Sequence, residues 1–179
     1  MKPWLALARW IDAVNERVGR AVTWLVLAAT LISAANALAR YGLNLSSNAW
    51  LEIQWYLFGA IILLTAGYTL KHNGHVRIDV IYGLFSVRTQ AWIDLLGTLL
   101  FLLPLCGLMT WLAFPGFVES LQSGETSPDA GGLIRWPVRL LIPLGFALLG
   151  LQGVAEAIKR IAFLGGKGKL TREQPQEEV

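Results

Sequence analysis

The sequence predicts an all-α protein that crosses a membrane four times. Three observations carry that reading. Of 179 residues, 55% are hydrophobic and only 15% are charged, where soluble chains run at roughly 45–50% and about 25%, and the mean hydropathy is +0.52. So little polar surface cannot coat a compact soluble body. Four continuous apolar runs also reach the roughly 20 residues that a helix needs to cross about 30 Å of hydrocarbon. Finally, the basic residues are unevenly shared among the segments that join those runs. A strand barrel would show alternating ten-residue segments instead, and in lipid a helix satisfies its own backbone polar groups.

The first element is amphipathic. Trp4, Leu7, Ile11, Val14 and Val18 recur at three- and four-residue spacing, while Arg9, Asp12, Glu16 and Arg20 recur on another face. This spacing predicts a helix over residues 3–19 lying in the membrane interface, with a cytosolic extension of the first crossing as the alternative. The crossings follow at residues 21–39, 51–70, 91–114 and 138–158. Ala35-Asn36-Ala37-Leu38-Ala39 superficially resembles a signal-peptidase site, but the apolar core is longer than the usual 7–15 residues of a signal segment. The first crossing is therefore expected to stay as an anchor. Ala29, Ser33 and Ala37 form a small-residue stripe suited to close helix approach in lipid. Pro104 predicts a kink in the third crossing and Pro143 one near the start of the fourth. The residues from Gly165 onward, rich in glycine and charge, read as a solvated tail. Residues 1–179 thus form a single membrane domain.

Four crossings put both termini on one side, and charge says which. The N-terminal segment, the loop between crossings two and three, and the tail hold 12 of the 15 Lys and Arg residues, whereas Arg40, Arg135 and Arg139 lie on the opposite side. That asymmetry places the termini and the middle loop in the cytoplasm. Trp24, Tyr68 and Trp92 fall at the inner ends, and Tyr41, Trp50, Trp55, Trp111 and Trp136 at or near the outer ones, as interfacial anchors do. The net charge of +3 gives no indication of nucleic-acid binding.

Chemistry-bearing residues are sparse. The middles of the crossings carry no Asp, Glu, His, Lys or Arg, so no proton relay or ion site is expected there. Glu52, Asp94, Arg139 and Glu156 all fall within a turn or two of a membrane face. One cysteine, Cys106, excludes an intrachain disulfide and any multi-cysteine metal centre. His72 and His75 share a short loop and lack the helical placement that axial haem ligands need. Metal binding through His72, His75 and Asp79 competes with the simpler reading of a structural loop, in which Asn73-Gly74 makes a turn and Arg77 and Asp79 pair. In the outer loop, residues 115–137, serines have no histidine on their side of the membrane, so a Ser/His hydrolase centre cannot form. No catalytic, cofactor or metal residue is expected.

Across residues 10–160 the chain resembles the small permease subunit, often called the Q subunit, of TRAP (tripartite ATP-independent periplasmic) transporters. The resemblance is carried by Arg40-Tyr41 closing the first crossing, Glu52 with Gln54-Trp55 opening the second, Gly67 near its end, and His75-Val76-Arg77-Ile78-Asp79 after it. Glu125-x-Ser127, Trp136-Pro137 and Gln152 match one branch of the family. The resemblance implies the small subunit of a sodium-coupled importer of organic acids in the bacterial inner membrane. Its implied partners are a large permease subunit, a periplasmic substrate-binding protein and membrane lipids. Sodium is expected at the large subunit, a separate polypeptide since this chain ends in a polar tail. Arg40, Glu52, Gln54, Trp55, His75, Arg77, Asp79, Glu125, Ser127, Trp136 and Gln152 are then partner-facing or fold-stabilising residues. Glu119, Glu125 and Asp129 in the outer loop are expected to help dock the binding protein. The competing classes are a small membrane enzyme or electron-transfer subunit, and a self-sufficient oligomer.

Overall fold

The computed structural model describes residues 2–45, 47–75 and 82–166. Its four long helices are α1 (Lys2–Gly42), α2 (Asn48–Lys71), α3 (Val87–Ser123) and α4 (Trp136–Leu164), each long and apolar enough to cross a membrane. All four predicted crossings fall inside them.

Local chemistry sets most of the ends. The Ser47 hydroxyl caps α2 by accepting from the Ala49 N–H at 3.3 Å, and the Ser86 hydroxyl caps α3 by accepting from the Thr89 N–H at 3.2 Å. Helix α2 ends in the predicted Asn73-Gly74 turn: Asn73 has φ 52°, and Gly74 N–H donates to the Thr69 carbonyl at 2.9 Å. Helix α3 stops where Gly124 takes φ 62°, a conformation glycine adopts without steric cost. Pro137 sits in the first turn of α4, where a missing N–H costs nothing.

Two expectations are revised. Residues 3–19 are helical, but they do not form a separate interfacial helix. They continue without a break into the first crossing as one helix of 41 residues, about 60 Å long. The reason is packing: Ala8 and Ile11, from the apolar side of this segment, are buried against Ala155 with Ile158 alongside, so α4 covers the stripe. In α3, the disruption before Pro104 takes the form of a π-helical turn, Thr98–Leu102, in which the Leu103 N–H reaches back to the Thr98 carbonyl. Widening the turn one residue ahead of a proline absorbs the clash of its ring with the preceding turn.

Helix α4 is central. It packs against each of the other three helices, α1 and α2 pack on each other, and α3 lies along α4. Two glycines set these separations. At Gly67 in α2, a β-carbon would strike the Asn15 side chain and lie 3.2 Å from the Leu148 carbonyl. At Gly145 in α4 it would lie 2.9 Å from the Leu63 carbonyl. Without them the α1, α2 and α4 backbones could not come so close. The outward faces remain apolar, with Trp24, Trp55, Phe101 and Trp111 each more than two-thirds exposed, as helices bathed in lipid require.

Candidate functional site

The charged side chains of the described residues gather in two layers, one at each end of the bundle, and the stretch between holds apolar residues with a few hydroxyls such as Thr30 and Thr65 that bond back to their own helices.

The layer at the end of the bundle that carries the N-terminus, here the inner layer as the charge bias orients it, joins all four helices. Asn15 and Gln152 are fully buried. The Asn15 amide donates to Gln152 Oε1 at 3.1 Å and to the Ile11 carbonyl at 3.4 Å. Gln152 Nε2 donates in turn to Asp12 Oδ1 at 2.7 Å and Glu156 Oε1 at 3.2 Å. Lys159 closes the group by binding both Asp12, at 3.2 Å, and Glu156. Around α4, Arg160 pairs with Asp94 of α3 at 3.1 Å, and the Tyr82 hydroxyl donates to the same carboxylate at 2.8 Å. On the other side Glu16 receives Lys71 at 2.8 Å, His72 at 2.9 Å and Arg20 at 2.8 Å. A pocket of about 290 Å³ opens in this layer beside Asn73, Asp94, Thr98, Glu156 and Arg160.

The layer at the opposite end is a clasp. Residues 125–135 fold into a short hairpin: Ser127 N–H donates to the Leu133 carbonyl, Arg135 N–H donates to the Glu125 carbonyl, both at 2.9 Å, and Thr126 bridges Ile134. Glu52 at the start of α2 accepts from the Leu133 N–H at 2.7 Å. Tyr56 donates to the Ile134 carbonyl at 3.3 Å and Asn48 to the Ala130 carbonyl at 3.2 Å. Within the hairpin, the Glu125 carboxylate pairs with Arg135 at 3.0 Å and Arg139 at 2.8 Å. Burial alone would raise the Glu125 pKa; the adjacent Ser120 hydroxyl and the Arg139 and Arg135 guanidiniums outweigh it and hold the carboxyl below its ordinary value.

The sequence-derived residues therefore sort by what they touch. Glu52, Glu125 and Gln152 each bond to a segment other than their own: Glu52 to the hairpin, Glu125 to Arg139 of α4, and Gln152 to Asp12 and Asn15 of α1. Ser127 belongs to the hairpin that Glu52 holds, and Trp136, half-buried, opens α4. Gln54 turns back on its own helix, donating to the Trp50 carbonyl at 3.0 Å. Arg40, Trp55 and His75 are exposed, as are Glu119 and Asp129; residues 115–123, expected in the loop, continue α3, so Glu119 is helical and only Asp129 lies in the hairpin. Arg77 and Asp79 lie outside the described residues. Asp12, Asn15, Glu16 and Lys71 were missed as members of one layer. Their signal was polar residues at three- and four-residue spacing flanking an apolar stripe, a pattern that equally describes a solvated face. Among the described residues, no three His, Cys, Asp or Glu side chains form a metal-sized group. An apolar groove of about 680 Å³ runs between α3 and α4, lined by Cys106, Gly107, Trp111, Ala147, Gly150 and Val154.

Four lipid-exposed crossing helices, tied at both ends and apolar between, define a polytopic integral membrane protein. A model of the DctQ component of tripartite ATP-independent periplasmic transporters matches residues 29–163, and the chain belongs to that family, the small permease component of such transporters. The family is a transporter component and not an enzyme family, and membership implies partnership with a large permease subunit and a substrate-binding protein. No curated protein and no solved structure matches the chain.

Proposed function

We propose that this chain is the scaffold subunit of a sodium-coupled importer of organic acids in the bacterial inner membrane, with both termini cytoplasmic. The observation that carries the scaffold role is the uncharged stretch between the two layers. No Asp, Glu, His, Lys or Arg lies in the middle of any crossing, so a carboxylate or sodium ion halfway across would find no charged partner in this chain. What the chain offers instead is a braced body: a buried amide and carboxylate layer at one end, a clasped hairpin at the other, and broad apolar faces on α1, α2 and α3 for a neighbour in the membrane. Sodium and substrate then bind at the large subunit, and this subunit needs no cofactor of its own. The orientation follows from the 12 of 15 basic residues on the side of the termini.

The test is a mild-detergent pull-down of the tagged chain from its native membrane with mass spectrometry of the eluate. The expected result is stoichiometric recovery of one much larger polytopic protein, whose loss abolishes uptake. A stable, monodisperse preparation of this chain alone would overturn the scaffold reading.

A further inference from the structure

The outward face of α1 near its inner end carries charge that the bundle does not neutralise. Arg17, Arg20 and Trp24 stand at i, i+3 and i+7, on one helix face, turned away from the buried stripe of Ala8, Ile11, Asn15 and Val22. The Arg20 side chain is 77% exposed and Trp24 71%. Among the described residues Arg17, also exposed, has no ion pair. Glu16, the carboxylate that serves this corner, is shared by Arg20, Lys71 and His72. Among the described residues, Arg17, Arg20 and Lys71 thus present three fixed cations around the Glu16 carboxylate.

Depth matches the charge. Beyond Trp24 the same helix exposes Val26, Leu27 and Leu31, a surface that hydrocarbon accommodates without cost. At 1.5 Å per residue, Arg20 lies about 6 Å and Arg17 about 10 Å below Trp24 along the helix axis. The headgroup layer occupies the first several ångströms outside the hydrocarbon. An indole at the boundary with two guanidiniums just outside it presents forked donors to a phosphate while the acyl chains lie along the apolar face above.

We propose that Arg17, Arg20 and Trp24 form a binding site for the headgroup of an anionic phospholipid. All three residues precede the stretch matched by the family model, which begins at residue 29. The occupant is a lipid because the cationic patch runs without interruption into a lipid-facing apolar surface.

Native mass spectrometry of the purified full-length chain, titrated with phosphatidylglycerol or phosphatidylcholine of identical acyl chains, tests the site. The wild-type chain should retain phosphatidylglycerol preferentially. Each arginine removed should weaken that binding about 5-fold, the equivalent of one cation at an anionic surface, so R17Q/R20Q should bring it close to phosphatidylcholine. Equal retention of the two lipids by the wild-type chain, or an undiminished preference in R17Q/R20Q, would overturn the proposal. So would a variant that keeps its lipid preference but loses a co-purifying membrane protein, since the face would then belong to that partner. Should the double variant fail to fold, Arg17→Gln alone decides: among the described residues this side chain has no ion pair to lose, and an unchanged preference rejects the site.

Discussion

Gln152 shows how much one polar side chain can be asked to hold. Completely buried, it takes a hydrogen bond from Asn15 and gives two, to Asp12 and Glu156, so its removal strands an amide on α1 with no water to replace the partner. Gln152→Ala is expected to destabilise the bundle by about 1–3 kcal/mol, read as a lower melting temperature in detergent. Gln152→Glu should weaken the layer too, by setting a third carboxylate beside Asp12 and Glu156. Glu125 supplies the pH dependence. Its folded pKa lies below the unfolded value, so its contribution is fully present above the unfolded pKa and is lost as the pH falls through the folded one. Amide exchange at residues 125–135 should accordingly rise on acidification below the ordinary carboxylate range. In Glu125→Gln it should already be fast at neutral pH and respond less to acid. Sequence reasoning named Glu125 and Gln152 as candidates from resemblance. Apart from Glu156, four residues on from Gln152, their partners lie ten to 140 residues away along the chain and were not legible, because such distances close only in three dimensions.

At the scale of elements, close packing depends on where glycines fall. Gly67 faces the Asn15 side chain and the Leu148 carbonyl, whereas Gly107 has nothing within 4 Å of an added β-carbon. Gly67→Val should therefore separate α2 from α1 and α4 and lower the yield of folded protein, while Gly107→Ala should be neutral or stabilise by about 0.5–1 kcal/mol through helix propensity. Thermal melts of the two purified variants check the contrast. The four crossings were legible because apolar length alone reports them. The N-terminal segment was not, since the same amphipathic spacing suits a membrane surface or the side of another helix. Here the competition went to α4, whose Ala155 and Ile158 receive Ala8 and Ile11. The small-residue stripe of α1 divides in a similar way: Ala29 is buried within the chain, and Ser33 and Ala37 are left facing outward.

For the whole molecule the decisive quantity is orientation. In a chain with Cys106 replaced by serine, Asn44→Cys in the loop after α1 should react with an impermeant maleimide on intact cells, and Asn73→Cys after α2 only once the membrane is opened. The reverse pattern would invert the topology and the roles of the two polar layers. The class of protein, its number of crossings and the gathering of its basic residues on the side of the termini were legible in the sequence alone, because hydrocarbon selects on composition and length and the charge bias is a property of linear segments. The tertiary structure decided that α4 is the central helix, that Glu52 and Glu125 clasp one hairpin, and that Asp12, Glu156 and Lys159 join the buried amides of Asn15 and Gln152 in one layer. The physical reason is that a polar group shut away from water must find its partner in space, and nothing in its position along the chain says which partner it will be.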